Sequence, residues 1–267
     1  MTDHYFYTPN FDMSKFYICI LKKPGYALLH LAVFITQITA EENNEKWSIL
    51  GSFGFESHYV VSGVKTANES FQPNIEVTRD FLTIGLWSNL PLIDDSDNFV
   101  DEHRIYASTG FLPYKLLTIN LGGTYYWFPN DGSNPNRTRE FNFSAAFDNL
   151  LNPAIQFNYD FDLEQTELIL AFEHEWSLEK FIRNFSLNIS TAFGYLRAED
   201  SDSNQTPGTM ADGYLYIELI TNVNYSINHF SNISLGPRFA TNNNGESRNI
   251  GGHMTHLWWG ISASLTY

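Results

Sequence analysis

Acidic side chains recur on the polar side of segments in which apolar and polar residues alternate along this 267-residue chain. Alternate residues of an extended strand share one face, so such segments would gather these carboxylates on one side of a sheet. Acids on that side outnumber bases too heavily for complete pairing, so some water must lie there, and a hydrated passage of this charge would favour cations. The alternative is that the carboxylates pair with arginines and tyrosines and plug a narrow barrel. The residues predicted to line it are Glu56, Glu76, Arg104, Asp148, Asp160, Asp162, Glu167, Glu173, Glu175, Glu218 and Arg238.

Other groupings that could support chemistry are weaker. Ser57 and His58 are neighbours in a strand pattern, so they point to opposite faces and cannot form a nucleophile–base pair with each other. The segment 200–211 begins like a calcium-binding loop, but Gln205 stands where the loop needs glycine and Ala211 where it needs an acid. The sequence therefore predicts no catalytic residue, no metal site and no cofactor.

Period-2 alternation begins near residue 47 and recurs to the end of the chain without a helical interruption. It predicts twelve strands, at 47–59, 71–77, 82–86, 105–111, 117–127, 141–147, 155–161, 168–176, 185–195, 215–225, 233–239 and 257–267. Most connections alternate between short turns and long loops. An even number of strands with this alternation predicts a single closed, antiparallel, up-and-down barrel over residues 41–267 that crosses a membrane, with both ends on the side of the short turns.

A soluble sandwich or barrel would show the same alternation, because its apolar face is buried and its polar face is solvated. The positions of the aromatic residues favour the membrane barrel, since a set of them falls near strand ends on the apolar face, as an interfacial girdle requires. This set is Trp47, Tyr59, Trp127, Trp176, Tyr195 and Tyr267. The rival interpretation is a soluble periplasmic β-sandwich or barrel.

The N-terminal 40 residues have the composition of an export signal. Lys22 and Lys23 precede an apolar run at 26–35, and Ala40 offers a small residue for cleavage. The apolar run is about half the ~20 residues that a membrane-spanning helix needs. We therefore predict a signal peptide at 1–40, with Met13 as a possible true start. The sole cysteine of the chain, Cys19, lies within it.

The formal net charge of −15 also limits the partners of the chain. The predicted signal contains three of the 15 basic and two of the 30 acidic side chains, so the remaining chain stays strongly acidic. A protein of this charge is no candidate for binding nucleic acid or an anionic membrane surface.

Residues 55–89 carry a sequence resemblance. The segment SHYVVSGVK is followed by FQPNIEV and then by FLTIGLWSNLP. This order resembles the start of the TorF-like porin family of Gram-negative bacteria, with matching residues at Tyr59, Val60, Gly63, Val64, Gln72, Pro73, Gly85, Trp87 and Asn89. Ser62 stands where the family usually has arginine. The resemblance implies an outer-membrane channel of unassigned substrate and no catalytic residue.

These observations predict a porin-like channel of the bacterial outer membrane for small solutes, with a preference for cations. The alternative hypothesis is a non-conducting structural or adhesive barrel that presents acidic loops. The predicted partners are outer-membrane lipid and lipopolysaccharide, small solutes or cations, and the barrel assembly machinery. That machinery would recognise the last strand through its outward residues Trp259, Ile261, Leu265 and Tyr267.

The assembly hypothesis can be tested by truncation. Deleting residues 264–267 removes the outward Leu265 and Tyr267, so we expect an unassembled chain that is degraded. The measurement is heat-modifiable migration on a gel. Normal heat-modifiable migration of the truncated chain would refute this role of the last strand.

Overall fold

The computed structural model describes residues 47–92, 101–129, 136–198, 213–243 and 254–267. The predicted signal peptide at 1–40 and the candidate calcium loop at 200–211 lie outside these ranges. Among the described residues, no helix is long and apolar enough to cross a bilayer.

The described residues form fourteen strands. Their bounds are β1 (Trp47–Glu56), β2 (Tyr59–Val61), β3 (Val64–Ala67), β4 (Ser70–Arg79), β5 (Leu82–Pro91), β6 (Glu102–Tyr114), β7 (Leu117–Trp127), β8 (Arg137–Phe147), β9 (Ala154–Asp160), β10 (Gln165–Ser177), β11 (Phe185–Ala198), β12 (Tyr214–Asn228), β13 (Ser231–Asn242) and β14 (Thr255–Thr266).

Twelve of these strands, β1 and β4–β14, make one closed barrel in which each strand pairs antiparallel with its neighbours along the chain. The ring closes where β1 pairs with β14, in a register that runs from Leu50 opposite Thr266 to Glu56 opposite Gly260. The prediction of a single closed, antiparallel, up-and-down barrel of about twelve strands is confirmed. Period-2 alternation accounts for this result, because it gives every strand one apolar and one polar face.

The first predicted strand, at 47–59, is too long. β1 ends at Glu56, and the chain then forms a separate two-stranded hairpin from β2 and β3 before it enters β4. Ser62 and Gly63 form its turn, with φ of 49° and 75°. Positive φ at both central residues is the requirement of the tight type I′ hairpin turn, and glycine meets it without strain.

The outer face of the barrel is apolar and exposed. Large apolar side chains stand out from the wall along its height, among them Phe53, Ile84, Leu168, Leu235 and Leu257. A surface of this extent would be unfavourable in water, whereas lipid covers it without cost and a closed ring leaves no strand edge unpaired. Five of the predicted girdle residues are exposed on this face: Trp47, Trp127, Trp176, Tyr195 and Tyr267. Trp259, Ile261 and Leu265 of β14 are also exposed there.

Candidate functional site

The tip of the β2–β3 hairpin is bound to the inner wall of the barrel. The hydroxyl of Ser62 donates to Oε1 of Glu167 on β10 at 2.6 Å. The backbone N–H of Gly63 donates to Oε1 of Glu218 on β12 at 2.9 Å. Nδ2 of Asn242 on β13 donates to the carbonyl oxygen of Gly63 at 2.7 Å. Side chains from three strands of the wall, β10, β12 and β13, therefore hold the turn of the hairpin.

The base of the hairpin is bound on the other side of the lumen. The hydroxyl of Tyr59 donates to Oε2 of Glu102 at 3.2 Å and accepts a hydrogen bond of 2.7 Å from Nη2 of Arg104, both on β6. Around the twelve-strand ring, β6 and β12 are six strands apart in either direction. The hairpin therefore crosses the barrel from one wall to the opposite one. Tyr59 is buried inside, so its prediction as an outer girdle residue is wrong, because β1 ends before it.

Glycine allows the hairpin to lie flat against this wall. A Cβ at Gly63 would stand 2.7 Å from Cβ of Tyr216, closer than two such atoms approach. A Cβ at Gly194 would overlap the ring of Tyr216, which lies across that glycine. The hairpin residue Val64 is buried with Leu196, Tyr214 and Tyr216 in a small apolar cluster inside the barrel. Side chains thus fill the lumen beside β11 and β12.

A cavity of about 990 Å³ remains between the hairpin and the wall formed by β4 to β10. It reaches along β7 from Asn120, near the short-turn end, to Phe128, beyond the other end of that strand. Amide, hydroxyl and carboxylate groups dominate its wall, including those of Asn74, Glu76, Thr124, Glu140, Asn142 and Asn158. The lumen is therefore polar on this side and closed off by the hairpin on the other.

Both described arginines on the inner wall are paired. Nη2 of Arg238 lies 2.8 Å from Oε1 of Glu56, whose other oxygen accepts a hydrogen bond from the Trp258 indole at 3.0 Å. Nε of Arg104 lies 2.5 Å from Oε1 of Glu102. Its guanidinium sits between two rings, 4.3 Å from the centroid of Trp87 and 4.9 Å from that of Tyr126. Each of these arginines therefore forms an ion pair with one carboxylate, Arg238 with Glu56 and Arg104 with Glu102.

The remaining carboxylates of the cavity wall are held by uncharged donors. The hydroxyl of Tyr106 donates to Glu76 at 2.7 Å, and that of Tyr126 donates to Glu140 at 3.0 Å. Nδ2 of Asn142 also donates to Glu140, at 2.5 Å. Within the described residues neither carboxylate has an ion pair. Hydrogen bonds from these neutral donors hold both carboxylates in place against the cavity wall.

Glu167 connects the cavity wall to the hairpin. Its Oε2 accepts from Asn158 at 2.8 Å, and its Oε1 accepts from Tyr216 at 2.7 Å as well as from Ser62. Asn158 in turn accepts from Asn142 at 3.2 Å. One chain of hydrogen bonds thus runs from β8 through β9 and β10 to the hairpin tip, and such networks are rigid when each member is satisfied.

Most of the charged residues predicted on the inner face lie there: Glu56, Glu76, Arg104, Asp160, Glu167, Glu173, Glu175, Glu218 and Arg238. Glu173 and Glu175 lie near the short-turn end of β10 and are exposed to solvent, and Glu173 accepts a hydrogen bond from Asn188 at 2.7 Å. Asp160 is buried at the end of β9, where it accepts from the backbone N–H groups of Asp162 and Leu163.

Two of the predicted lumen residues lie elsewhere. Asp148 follows the last residue of β8 and is exposed in the turn to β9. Asp162 lies beyond the end of β9 and forms an ion pair of 2.9 Å with Arg139, an exposed side chain of β8. Hydrogen bonds from Arg139 lower the pKa of Asp162 below its usual value. Both predictions are wrong because these residues lie beyond the ends of β8 and β9, where successive side chains no longer point to alternate faces of a sheet.

Two carboxylates of the lumen, Glu102 and Glu140, are absent from the predicted set. Glu102 lies two positions before Arg104, and Glu140 lies two positions before Asn142, so both share the inner face of their strands. Extending each predicted strand toward its N-terminus would have found them. Tyr106 and Tyr126 fall on the polar face of the alternation, but nothing in the alternation indicates which carboxylate each one binds.

A serine and a histidine do meet on the outer face. The Ser88 hydroxyl lies 2.8 Å from Nδ1 of His103, its cross-strand neighbour on β6. Ser88 is only 2% exposed, so the folded barrel covers this hydroxyl, and the pair serves as a hydrogen bond between strands. Among the described residues, no group of three His, Cys, Asp or Glu side chains is arranged to hold a metal ion.

A closed antiparallel barrel with an apolar exposed exterior and a polar lumen defines a transmembrane β-barrel of the outer-membrane kind. No protein-family model matches the chain, and no curated protein matches its sequence. The resemblance to the TorF-like family therefore stays a prediction.

Three solved structures similar to this chain are a KdgM porin, a NanC porin and the outer membrane protein OprD from Pseudomonas aeruginosa. The first two each have a TM-score of 0.49 and 10% sequence identity over 82% of this chain and 99% of the other. OprD has a TM-score of 0.39 and 8% identity, over 85% of this chain and 66% of its own.

The close contact between the hairpin tip and the barrel wall can be tested by adding one methyl group. Gly63→Ala places a Cβ against Tyr216 at a residue with φ of 75°, so we expect it to lower the free energy of unfolding by about 1–3 kcal/mol. Gly51→Ala is the matched control, because a Cβ there meets nothing within 4 Å. The measurement is urea unfolding in detergent. Equal stability of the two variants would contradict a close contact between Gly63 and the barrel wall.

Proposed function

We propose that this protein is a porin-like channel of the bacterial outer membrane that passes small solutes and prefers cations. The observation that supports this proposal best is which partners the charged side chains of the lumen have. Glu76 and Glu140 face the cavity with uncharged hydrogen-bond donors, while Arg104 and Arg238 are already paired with other carboxylates. On this proposal, the wall of the passage carries a net fixed negative charge.

The proposed passage is one-sided. The hairpin covers the lumen beside β11 and β12, so a solute would travel between the hairpin and the wall from β4 to β10, along the cavity of about 990 Å³. Low-dielectric protein and lipid around a narrow aqueous path concentrate the field of fixed charges within it. Glu173 and Glu175 extend the same sign of charge toward the short-turn end.

The alternative is a closed structural or adhesive barrel that presents acidic loops. One observation favours it: the hairpin is attached at both ends, by Tyr59 to β6 and by Ser62 and Gly63 to β10, β12 and β13. An element held across the whole lumen could act as a plug. Lipopolysaccharide and the barrel assembly machinery remain proposed partners on either hypothesis, and so does membership of the TorF-like family.

Neutralising the cavity carboxylates tests the selectivity. Glu76→Gln with Glu140→Gln removes two charges from the wall and keeps the size of both side chains. We expect the ratio of K⁺ to Cl⁻ permeability in planar bilayers to fall about twofold or more, because a weaker field acts on the permeating ion. The change should shrink in ~1 M salt, where the screening length is about 3 Å.

The matched control removes two charges outside the lumen. Asp80 and Asp148 are exposed in short turns, so Asp80→Asn with Asp148→Asn should leave the permeability ratio unchanged. If the control and the lumen variant shifted selectivity equally, the charge of the cavity wall would not set the preference and this assignment would be wrong.

Removing the hairpin separates a channel from a plug. Glu56 pairs with Ser70, so residues 57–69 can be replaced by an Asn-Gly turn that joins β1 to β4 directly. If the passage already conducts beside the hairpin, the parent protein shows steps and the variant shows conductance about twofold or more higher, since a wider water-filled path carries more current. A silent parent with a conducting variant would instead make the hairpin a plug and favour the structural hypothesis.

A further inference from the structure

The inner wall of the barrel is uncharged over β12, β13, β14 and β1 at the short-turn end. One row of cross-strand neighbours there runs through Ser226 on β12, Asn232 on β13 and Ser264 on β14. Asn232 lies an even number of residues from Arg238, so this row is on the inner face. Between the short-turn end and the Glu56–Arg238 ion pair, every described inner residue of these four strands is uncharged. We call this part of the wall the amide–hydroxyl surface.

A cavity of about 500 Å³ opens at this surface, between the start of β11 and the end of β14. Its wall includes Asn184, Ser226, Asn228, Asn232, Ser264 and the ring of Phe230. The pairing of β12 with β13 shifts register between Ser226 and Asn228, and such bulges redirect side chains. Ligand pockets in proteins have volumes of about 300–1,000 Å³. The amide–hydroxyl surface therefore ends in a cavity large enough for a small molecule.

Backbone hydrogen bonds hold the aromatic residue of this cavity in place. The N–H of Phe230 donates to Oδ1 of Asn228 at 2.8 Å. The carbonyl oxygen of Phe230 accepts a hydrogen bond of 2.8 Å from the N–H of Thr266. The cavity therefore combines amide and hydroxyl groups with one partly exposed aromatic ring whose backbone is fixed.

Asn232 differs from another asparagine of the same surface in its partners. Nδ2 of Asn224 donates to the hydroxyl of Ser186, its cross-strand neighbour, at 3.4 Å. Oδ1 of Asn232 is buried and has no hydrogen-bond partner within the part of the chain that the structure describes. Buried polar atoms are almost always hydrogen-bonded, so an open acceptor at the cavity indicates a donor from water or from a bound solute.

The groups of the cavity suit a solute that donates and accepts hydrogen bonds without carrying charge. Amide and hydroxyl side chains each provide both a donor and an acceptor. The hydroxyl groups of a sugar have the same dual character. The C–H face of a sugar ring is apolar and gains by leaving water for the ring of Phe230.

The charged and titratable groups around the cavity do not favour one sign of charge. Among the described residues that line it, His229 is the one side chain that titrates. The exposed turn residues beside Asn184 carry both signs. Glu179 accepts a hydrogen bond of 2.9 Å from the Asn184 backbone, and Arg183 precedes Asn184 in the sequence. A charged solute would therefore lose water here without gaining a matching charge inside the cavity.

We propose that this cavity binds an uncharged, polyhydroxylated solute, a mono- or disaccharide, at the short-turn mouth of the barrel. Asn232, Ser226 and Ser264 bind its hydroxyl groups, and Phe230 contacts its ring face. The inference rests on the proposed function, because it names a class of solute that the channel would pass. A negative wall elsewhere in the lumen repels anions but exerts no net force on a neutral sugar. Binding itself requires only the folded barrel.

The test measures sugar binding to the purified, folded full chain by saturation-transfer NMR, in a zwitterionic detergent without a sugar headgroup. The neutral probes are maltose, lactose, sucrose and trehalose, and the charged probes are glucuronate and glucosamine. We expect at least one neutral disaccharide to bind saturably and more tightly than either charged sugar. Tighter binding of a charged sugar, or no saturable binding of any neutral one, overturns the proposal.

Two matched double variants locate the binding site. Asn232→Ala with Ser264→Ala should raise the dissociation constant of the bound disaccharide about tenfold, because two hydrogen bonds are lost. The control, Asn224→Ala with Ser186→Ala, removes the same two residue types outside the cavity and should leave that constant unchanged. Equal effects of the two double variants would show that the cavity is not the site.

Each preparation is first checked for heat-modifiable migration and for bilayer conductance. If the cavity variant does not fold, Thr266→Val removes one hydroxyl of the same cavity and should weaken binding severalfold. A folded parent that binds a neutral sugar but does not conduct would count against the channel and support the cavity. A conducting parent that binds no neutral sugar would count against the cavity alone. The two proposals therefore fail on different measurements.

Discussion

The pairing of β1 with β14 closes the barrel, and the lumen and its lining exist only because of that closure. Lipid offers no hydrogen-bond partner for backbone N–H and C=O groups, so a sheet with a free edge cannot stand in a bilayer. Once Glu56 lies opposite Gly260 and Leu50 opposite Thr266, every barrel strand has two neighbours. Closure also separates two environments, because it places one face of all twelve strands toward lipid and encloses the other.

Inward side chains lie flat against the barrel wall at positions where only glycine leaves room for them. The Glu56–Arg238 pair lies over Gly260, the ring of Tyr106 lies over Gly85, and the ring of Tyr216 lies over Gly194. A Cβ at any of these glycines would overlap the group above it. The same condition applies to the hairpin tip, where Gly63 touches the wall. The inner surface is thus a packed layer of polar and aromatic side chains, with glycine in the wall where they lie against it.

Charge in the lumen divides into two kinds according to its partners. Glu56 and Glu102 are paired with arginines, which lowers the cost of holding charge away from bulk water. Glu167 and Glu218 accept hydrogen bonds from the hairpin and fix its position. Glu76 and Glu140 have neutral donors on the open side of the lumen. Pairing with arginine, holding the hairpin and lining the open cavity therefore fall to different carboxylates, although all of them belong to the same polar face.

Period-2 alternation in the sequence predicts the barrel, its strand number and the inner position of nine of the eleven charged residues assigned to the lumen, because this alternation follows directly from strand geometry. The prediction is wrong beyond the strand ends, as at Asp148 and Asp162. It also extends the first strand beyond Glu56 and so includes Tyr59. Only the tertiary structure revealed that residues 59–67 fold across the lumen. That contact joins residues more than 100 positions apart, such as Ser62 with Glu167, and depends on a wall that exists only after the ring has closed.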